Sequence, residues 1–189
     1  MLFYIARLIR KLDYMKNKIL IMIVLFVFTG IFLHAQSSAA SLTNEKSFKA
    51  KVVDLNDEKY QNKSLDDILK KYKGQVIYLD FWASWCGPCK KEMPYSQKMK
   101  KELAGKDVAF VYISTDKNSD KWKSMINQLQ ITGDHYRANN TVRNQIVERF
   151  NLQYIPRYVL INKEGKVADA NAKRPSDPLA VKDIDKLLM

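Results

Sequence analysis

Cys86 and Cys89 are the only cysteines of the chain, and they stand two residues apart in Trp85-Cys86-Gly87-Pro88-Cys89-Lys90. The pair follows an apolar run, Val76 to Trp82, that reads as a buried strand. At a strand-to-helix junction a Cys-x-x-Cys pair can close and reopen a disulfide without moving the backbone. The N-terminus of the following helix stabilises the thiolate of the first sulfur. The chemistry these residues point to is dithiol redox exchange. A structural bridge is the plainer alternative, but two intervening residues remove little unfolded-state entropy and tend to be strained, so the pair is a poor staple and a good redox couple. Half of a zinc site is the other, and it needs two more ligands when the only histidines are His34 and His135.

The elements that must position the pair follow from periodicity and turn chemistry. Phe48 to Val53 reads as a short strand, followed by an Asn56-Asp57 turn and a second strand near Lys59. Ser64 is placed as the N-cap of a helix to about Tyr72, with Gly74 beyond its end. Val76 to Trp82, broken only by Asp80, has the continuous apolar character of a central strand covered on both faces. The helix opening at Gly87 runs to about Leu103, and Pro94 inside it removes a backbone hydrogen bond and predicts a kink. Val108 to Ser114 is the next buried strand. Trp122, Met125, Ile126 and Leu129 fall at helical spacing and read as a core stripe, then come a Gly133-Asp134 turn and a second helical pattern from Val142 to Phe150. Arg157 to Asn162 and Lys166 to Ala170 bracket the Lys163-Glu164-Gly165 turn as an antiparallel hairpin, and a last helix covers about Asp177 to Leu188. The alternation predicts an α/β fold with a mixed sheet between helices, N-terminal extension strands and a helical insertion.

The 189 residues, 47% of them hydrophobic, suffice for one domain with a packed core plus a leader. Ile19 to Leu33 is an apolar run interrupted only by Thr29 and Gly30, preceded by Lys16 and Lys18 and followed by His34-Ala35-Gln36. Residues 1–35 thus read as a secretory signal, and their length and flanks favour cleavage over an uncleaved membrane anchor. Cleavage after Ala39 or Ala40 is the nearby alternative. Met15 begins a better-formed signal than Met1 and is read as the true start. Residues 36–46 are small and polar, a linker before a folded domain at 47–189. The implied location is the periplasm or the outer face of the cytoplasmic membrane, with membrane contact only if the leader stays attached.

The net charge of +12 falls to +8 without residues 1–35, which hold Arg7, Arg10, Lys11, Lys16 and Lys18 against Asp13. The lysines are interleaved with acids, as at Lys63 to Lys73, so the surface is basic and solvated with no nucleic-acid footprint.

Asp80 to Pro94, read as DFWASWCGPCKKEMP, together with Ile155-Pro156 and the hairpin Tyr158 to Val167, resembles the thioredoxin-like fold, and within it the exported TlpA and ResA branch. The resemblance covers about Ser47 to Met189 and implies a thiol:disulfide oxidoreductase that needs no cofactor and no metal. On it, Cys86 is the exposed attacking nucleophile and Cys89 the buried resolving thiol. Asp80 matches the buried acid of thioredoxins, able to accept the Cys89 proton, with a strand-end carboxylate paired to a lysine as its alternative. Glu92 matches an acid near the thiols, with a solvent-facing first-turn charge as its alternative. Pro156 matches a cis-proline lying against the cysteines, and Trp85, Gly87, Pro88, Ile155, Pro156 and Arg157 become the substrate-facing set. Arg157 stands where Thr often follows that proline, and either favours a thiolate or acidic substrate or points to solvent.

The Gly-Pro dipeptide resembles that of thioredoxin, whose potential of about −270 mV is reducing. A reductant in an oxidising compartment implies disulfide-containing protein substrates and a membrane-bound electron donor. A peroxiredoxin-like peroxidase and a Cu(I) metallochaperone using Cys86, Cys89 and His135 are the rival readings, although His135 itself reads as a surface or loop histidine.

Overall fold

The computed structural model describes residues 50–189. The leader, the linker, the start at Met15 and the strand residues Phe48 and Lys49 lie outside the described residues. Six strands form one mixed sheet: β1 (Ala50–Asp54), β2 (Val76–Trp82), β3 (Val108–Ser114), β4 (Gly133–Arg137), β5 (Arg157–Ile161) and β6 (Val167–Asp169), in the spatial order β1-β4-β3-β2-β5-β6. The first four are mutually parallel, while β5 runs antiparallel to β2 and β6 antiparallel to β5. The helices are α1 (Leu65–Leu69), α2 (Gly87–Glu102), α3 (Ser119–Gln128), α4 (Asn140–Phe150) and α5 (Ala180–Leu188). Among the described residues no helix is long and apolar enough to cross a membrane.

Strand β2 is buried along its whole length because helices cover both of its faces. Its side chains alternate. Ile77, Leu79 and Phe81 pack with Val111, Ile113, Val142, Ile146 and Phe150 in one layer. Val76 and Tyr78 pack with Met99, Leu103 and Ile184 in the other, and Trp82 joins Met93, Trp122 and Ile126 beside them. Asp80 therefore belongs to the layer under α2, among side chains whose full burial is worth about 1.5–3 kcal/mol each. The core stripe predicted at Trp122 and Ile126 is present, and both are fully covered.

Ser64 caps α1 reciprocally with Asp67, as its sequence position predicts, and the chain continues through a 3-10 turn to Tyr72. Helix α2 runs through Pro94 without ending. Two expectations fail. The residues near Lys59 form a 3-10 turn, Glu58–Tyr60, in place of a second strand. Gly133-Asp134 opens strand β4 where a turn was predicted, so the segment between β3 and β5 is helix, strand, helix and not a helical insertion. Gly133 sits at φ +109°, and a Cβ there would meet the Phe110 carbonyl at 3.1 Å, so glycine is required at a strand start that its neighbours disguise as a turn.

Candidate active site

Strand β2 ends at Trp82, and the next residues carry the chain to the sulfurs. Asp116 holds that connection from behind: its carboxylate accepts from Ser84 N at 2.8 Å, Ser84 Oγ at 2.6 Å and Ser114 Oγ at 2.7 Å. The Cys86 amide donates to the Ala83 carbonyl, and Cys86 becomes the N-cap of α2, its Sγ accepting from Cys89 N at 3.2 Å. Cys86 and Cys89 are joined in a disulfide with Cα atoms 5.3 Å apart. Both are covered, Cys86 at 4% exposure and Cys89 at 0%, within a cluster holding Trp82, Ala83, Met93 and Ile155. The order of exposure is the expected one, but Cys86 is not an open thiol in this oxidised form, because its sulfur is turned inward onto its partner.

Beside the disulfide the surface is apolar. Trp85 is 68% exposed, and Gly87 and Pro88 are exposed next to it. A groove of about 500 Å³ runs from Trp85 and Ile155 to Ile146, Val147 and Tyr154, with Arg143 as its charged lining residue among those described. The Ile155-Pro156 bond is cis and both residues are half-buried. Arg157 is half-buried at the start of β5; its Nε donates to the Ala170 carbonyl at 2.9 Å in an exposed contact, and its guanidinium lies 5.8 Å from the Tyr154 ring centre.

Asp80 is 1% exposed, and neither carboxylate oxygen has a hydrogen-bond partner among the described residues. Burial raises its pKa to about 8, with Lys100 opposing the rise and Glu92 adding to it. Among the described residues it enters no ion pair, so the alternative of a strand-end carboxylate bridged to a lysine does not describe it there. Register places Asp80 in a polar row across four strands, Tyr158 on β5, Asp80 on β2, Tyr112 on β3 and His135 on β4, all beneath α2. Tyr112 shares a 2.7 Å hydrogen bond with Ser96 of α2.

His135 is fully buried, not a surface or loop residue. Its ring stacks on Tyr112 at 4.6 Å, and its Nε2 donates to the Ile131 carbonyl at 2.9 Å. Burial lowers its pKa to about 3, so it is neutral at physiological pH. Among the described residues no cluster of three or more His, Cys, Asp or Glu is arranged to hold a metal ion.

Glu92 is also buried, at 7% exposure, against the solvent-facing alternative. Its carboxylate accepts from Ser176 N at 2.9 Å and Ser176 Oγ at 3.0 Å, with Arg174 at 3.7 Å, because the chain between β6 and α5 folds back over α2. Asp116 and Lys100 were not singled out from the sequence. An acid directly after an apolar parallel strand is a usable signal for the first. A lysine four residues after Ser96 on the covered face of α2 is a weaker one for the second.

A family model described as thioredoxin-like matches residues 74–167. The thiol-disulfide oxidoreductase ResA of Bacillus thuringiensis is 31% identical over 101 residues, 53% of this chain and 57% of that protein. The chain thus spans little more than half the length of the curated relatives it matches. A solution structure of a Bacteroides vulgatus protein assigned as a thiol-disulfide oxidoreductase is 37% identical, with a TM-score of 0.57, and the match covers 64% of this chain and 78% of that one. A crystal structure so assigned from the same organism is 35% identical, with a TM-score of 0.58, covering 64% and 83%.

Proposed function

The chain belongs to the thioredoxin-like family, and from that membership we propose that it is a thiol:disulfide oxidoreductase acting on protein disulfides. The observation that carries the reading is the Cys86–Cys89 pair at the N-terminus of α2, backed by a buried carboxylate, Asp80, with no hydrogen-bond partner among the described residues. In the reduced protein the Cys86 thiolate attacks a substrate disulfide and forms a mixed disulfide, releasing one substrate thiolate. The Cys89 thiol gives its proton to Asp80 and attacks Cys86 Sγ, releasing the second thiolate and closing the bond. Glu92 acts in this scheme through its charge, which disfavours ionisation of Asp80. Trp85, Gly87, Pro88, Ile155 and Pro156 are the platform on which the substrate lies, supported by the apolar groove that begins at Trp85 and Ile155. Arg157 contributes through its hold on Ala170.

The leader pattern at residues 1–35 supports export, and the Gly87-Pro88 dipeptide supports a reducing role fed by a membrane-bound donor. Insulin reduction driven by dithiothreitol tests the chemistry. Cys86→Ser abolishes turnover, and Cys89→Ser accumulates mixed disulfides that identify the natural substrates. Alkylation of the reduced protein at mildly acidic pH labels Cys86 before Cys89. Full activity in Cys86→Ser would sink the mechanism.

A further inference from the structure

Trp85, Tyr154 and Val147 each expose more than half of their surface, and all three line the groove that opens beside the disulfide, together with the buried Ile146 and the half-buried Ile155. Apolar side chains exposed singly are ordinary, whereas a set gathered along one groove marks a contact surface. Its volume of about 500 Å³ lies in the range of sites for drug-sized ligands, which suits a short stretch of extended chain. Trp85 directly precedes Cys86 and Ile155 directly precedes Pro156, so the groove leads to the sulfurs.

Arg143, half-buried in the first turn of α4, brings a positive charge to this apolar lining. Its Nε donates to the Ala138 carbonyl at 3.3 Å and its Nη2 to the Asp116 carbonyl at 2.9 Å, so main-chain oxygens fix the guanidinium. The same Asp116 holds Ser84 through its carboxylate, which ties the cation and the redox loop to one support. Among the described residues Nη1 has no acceptor and no carboxylate pairs with Arg143, whereas Arg137, Arg149 and Arg174 each have an acid as ion-pair partner. A cation in the first turn also stands against the helix dipole. An arginine so oriented and left without an anion is preorganised for a carboxylate, which its planar fork matches. The Arg157 guanidinium, 5.8 Å from the Tyr154 ring centre, adds positive charge at the Tyr154 end of the groove.

We propose that the groove is a selective subsite for the substrate chain, taking a segment next to the attacked cysteine in which an aspartate or glutamate stands between apolar residues, with Arg143 binding the carboxylate and Trp85, Val147 and Tyr154 receiving the apolar flanks. The inference rests on the oxidoreductase reading and names the substrate class within it. The subsite supplies binding and orientation, and the bonds made and broken at the sulfurs stay as described above.

The test is single-turnover reduction of synthetic peptides by the prereduced full chain. Each peptide carries a cysteine in disulfide linkage to 2-mercaptoethanol, with Glu, Gln or Lys flanked by leucines and placed in turn at successive positions on either side of the cysteine. At the best position the wild-type protein reduces the Glu peptide about fivefold faster than the Gln peptide and the Lys peptide slowest, the size expected of a charged pair at a half-exposed site. The preference shrinks in about 1 M salt, where the screening length is about 3 Å. Serines in place of the leucines slow every peptide. Arg143→Gln brings the Glu to Gln ratio to about one, and Arg143→Glu inverts the order so that the Lys peptide leads; as ratios within one variant, these readings do not depend on how much of it is folded. Equal rates for the three peptides at every position, or a Glu preference that survives Arg143→Glu, overturns the inference and leaves the oxidoreductase reading standing. A wild-type dimer that Arg143→Glu dissociates would give the groove to a second copy of the chain and overturn it as well. A prereduced protein that reduces neither the peptides nor insulin removes the oxidoreductase reading, and the inference with it.

Discussion

Behind the Ser84–Trp85 segment, Asp116 is 2% exposed and accepts three hydrogen bonds; beneath α2, Asp80 is 1% exposed and accepts none from the described residues. Both carboxylates are buried close to the redox loop, so burial alone does not set their behaviour. A carboxylate that accepts bonds from an amide and two hydroxyls fixes the geometry of whatever donates to it. One with no donors is costly as an anion and takes up a proton at accessible pH. The contrast separates a residue that holds the loop from a residue that exchanges protons with it.

The largest test of the contrast is Asp116→Ala. It leaves Ser84 N and the hydroxyls of Ser84 and Ser114 without their acceptor in a dry site, so the expected loss of stability is about 4 kcal/mol by denaturant unfolding. The oxidised and reduced forms should lose similar amounts, because the carboxylate touches neither sulfur. A loss confined to one redox state would place Asp116 with the exchanging group.

Asp80→Asn should act in the opposite direction. The folded pKa of about 8 lies above the ordinary 3.8, so the native state keeps a proton that the unfolded chain releases. Stability from this group is complete below about pH 4, declines as pH rises, and has gone above about pH 8. The asparagine variant lacks that decline, which linkage puts at about 5 kcal/mol as an upper bound by pH 8, and should be the more stable there by several kcal/mol, with little difference near pH 4. Turnover should slow, since the acceptor for the Cys89 proton is gone. A variant with no gain at pH 8 and a wild-type pH-rate profile would return Asp80 to the ranks of solvated acids.

How much of this was legible in the sequence depends on where the partners lie. Val76 to Trp82 and Val108 to Ser114 are apolar runs that declare their burial, and the Cys-Gly-Pro-Cys helix start is a local pattern, so β2, β3 and α2 were read with close bounds. Asp80 was legible as buried because its neighbours on both sides are apolar. Strand β4 was not, because GDHYR is polar by composition. It is a strand because β1 and β3 flank it, Asp134 bonds Tyr72, and Arg137 bonds Asp54 at 2.9 Å, all partners distant in sequence. The cover over Glu92 and the burial of His135 were missed for the same reason. Helical spacing shows which face a residue occupies, but not that Ser176, 84 residues later, will cover it. The leader at 1–35 and the linker at 36–46 lie outside the described residues.

Glu92→Gln is the smallest of these effects and the most discriminating, because Glu92 combines features of both regions. It is near enough to Asp80 to raise its pKa, yet it is bonded as Asp116 is, with both oxygens on Ser176. If bonding decides, the glutamine keeps one acceptor oxygen and turns an amide toward a donor of Ser176. That should cost about 1 kcal/mol at pH 7. Ser176→Ala removes only the hydroxyl donor, and a double-mutant cycle between the two should give a coupling of about 0.5–1 kcal/mol, as for residues in direct contact. Removing the charge should also lower the Asp80 pKa slightly, moving the inflection in turnover to lower pH. A Glu92→Gln protein with unchanged stability, no coupling to Ser176 and a lost inflection would make Glu92 the proton acceptor, and the division between holding and exchanging carboxylates would have to be drawn elsewhere.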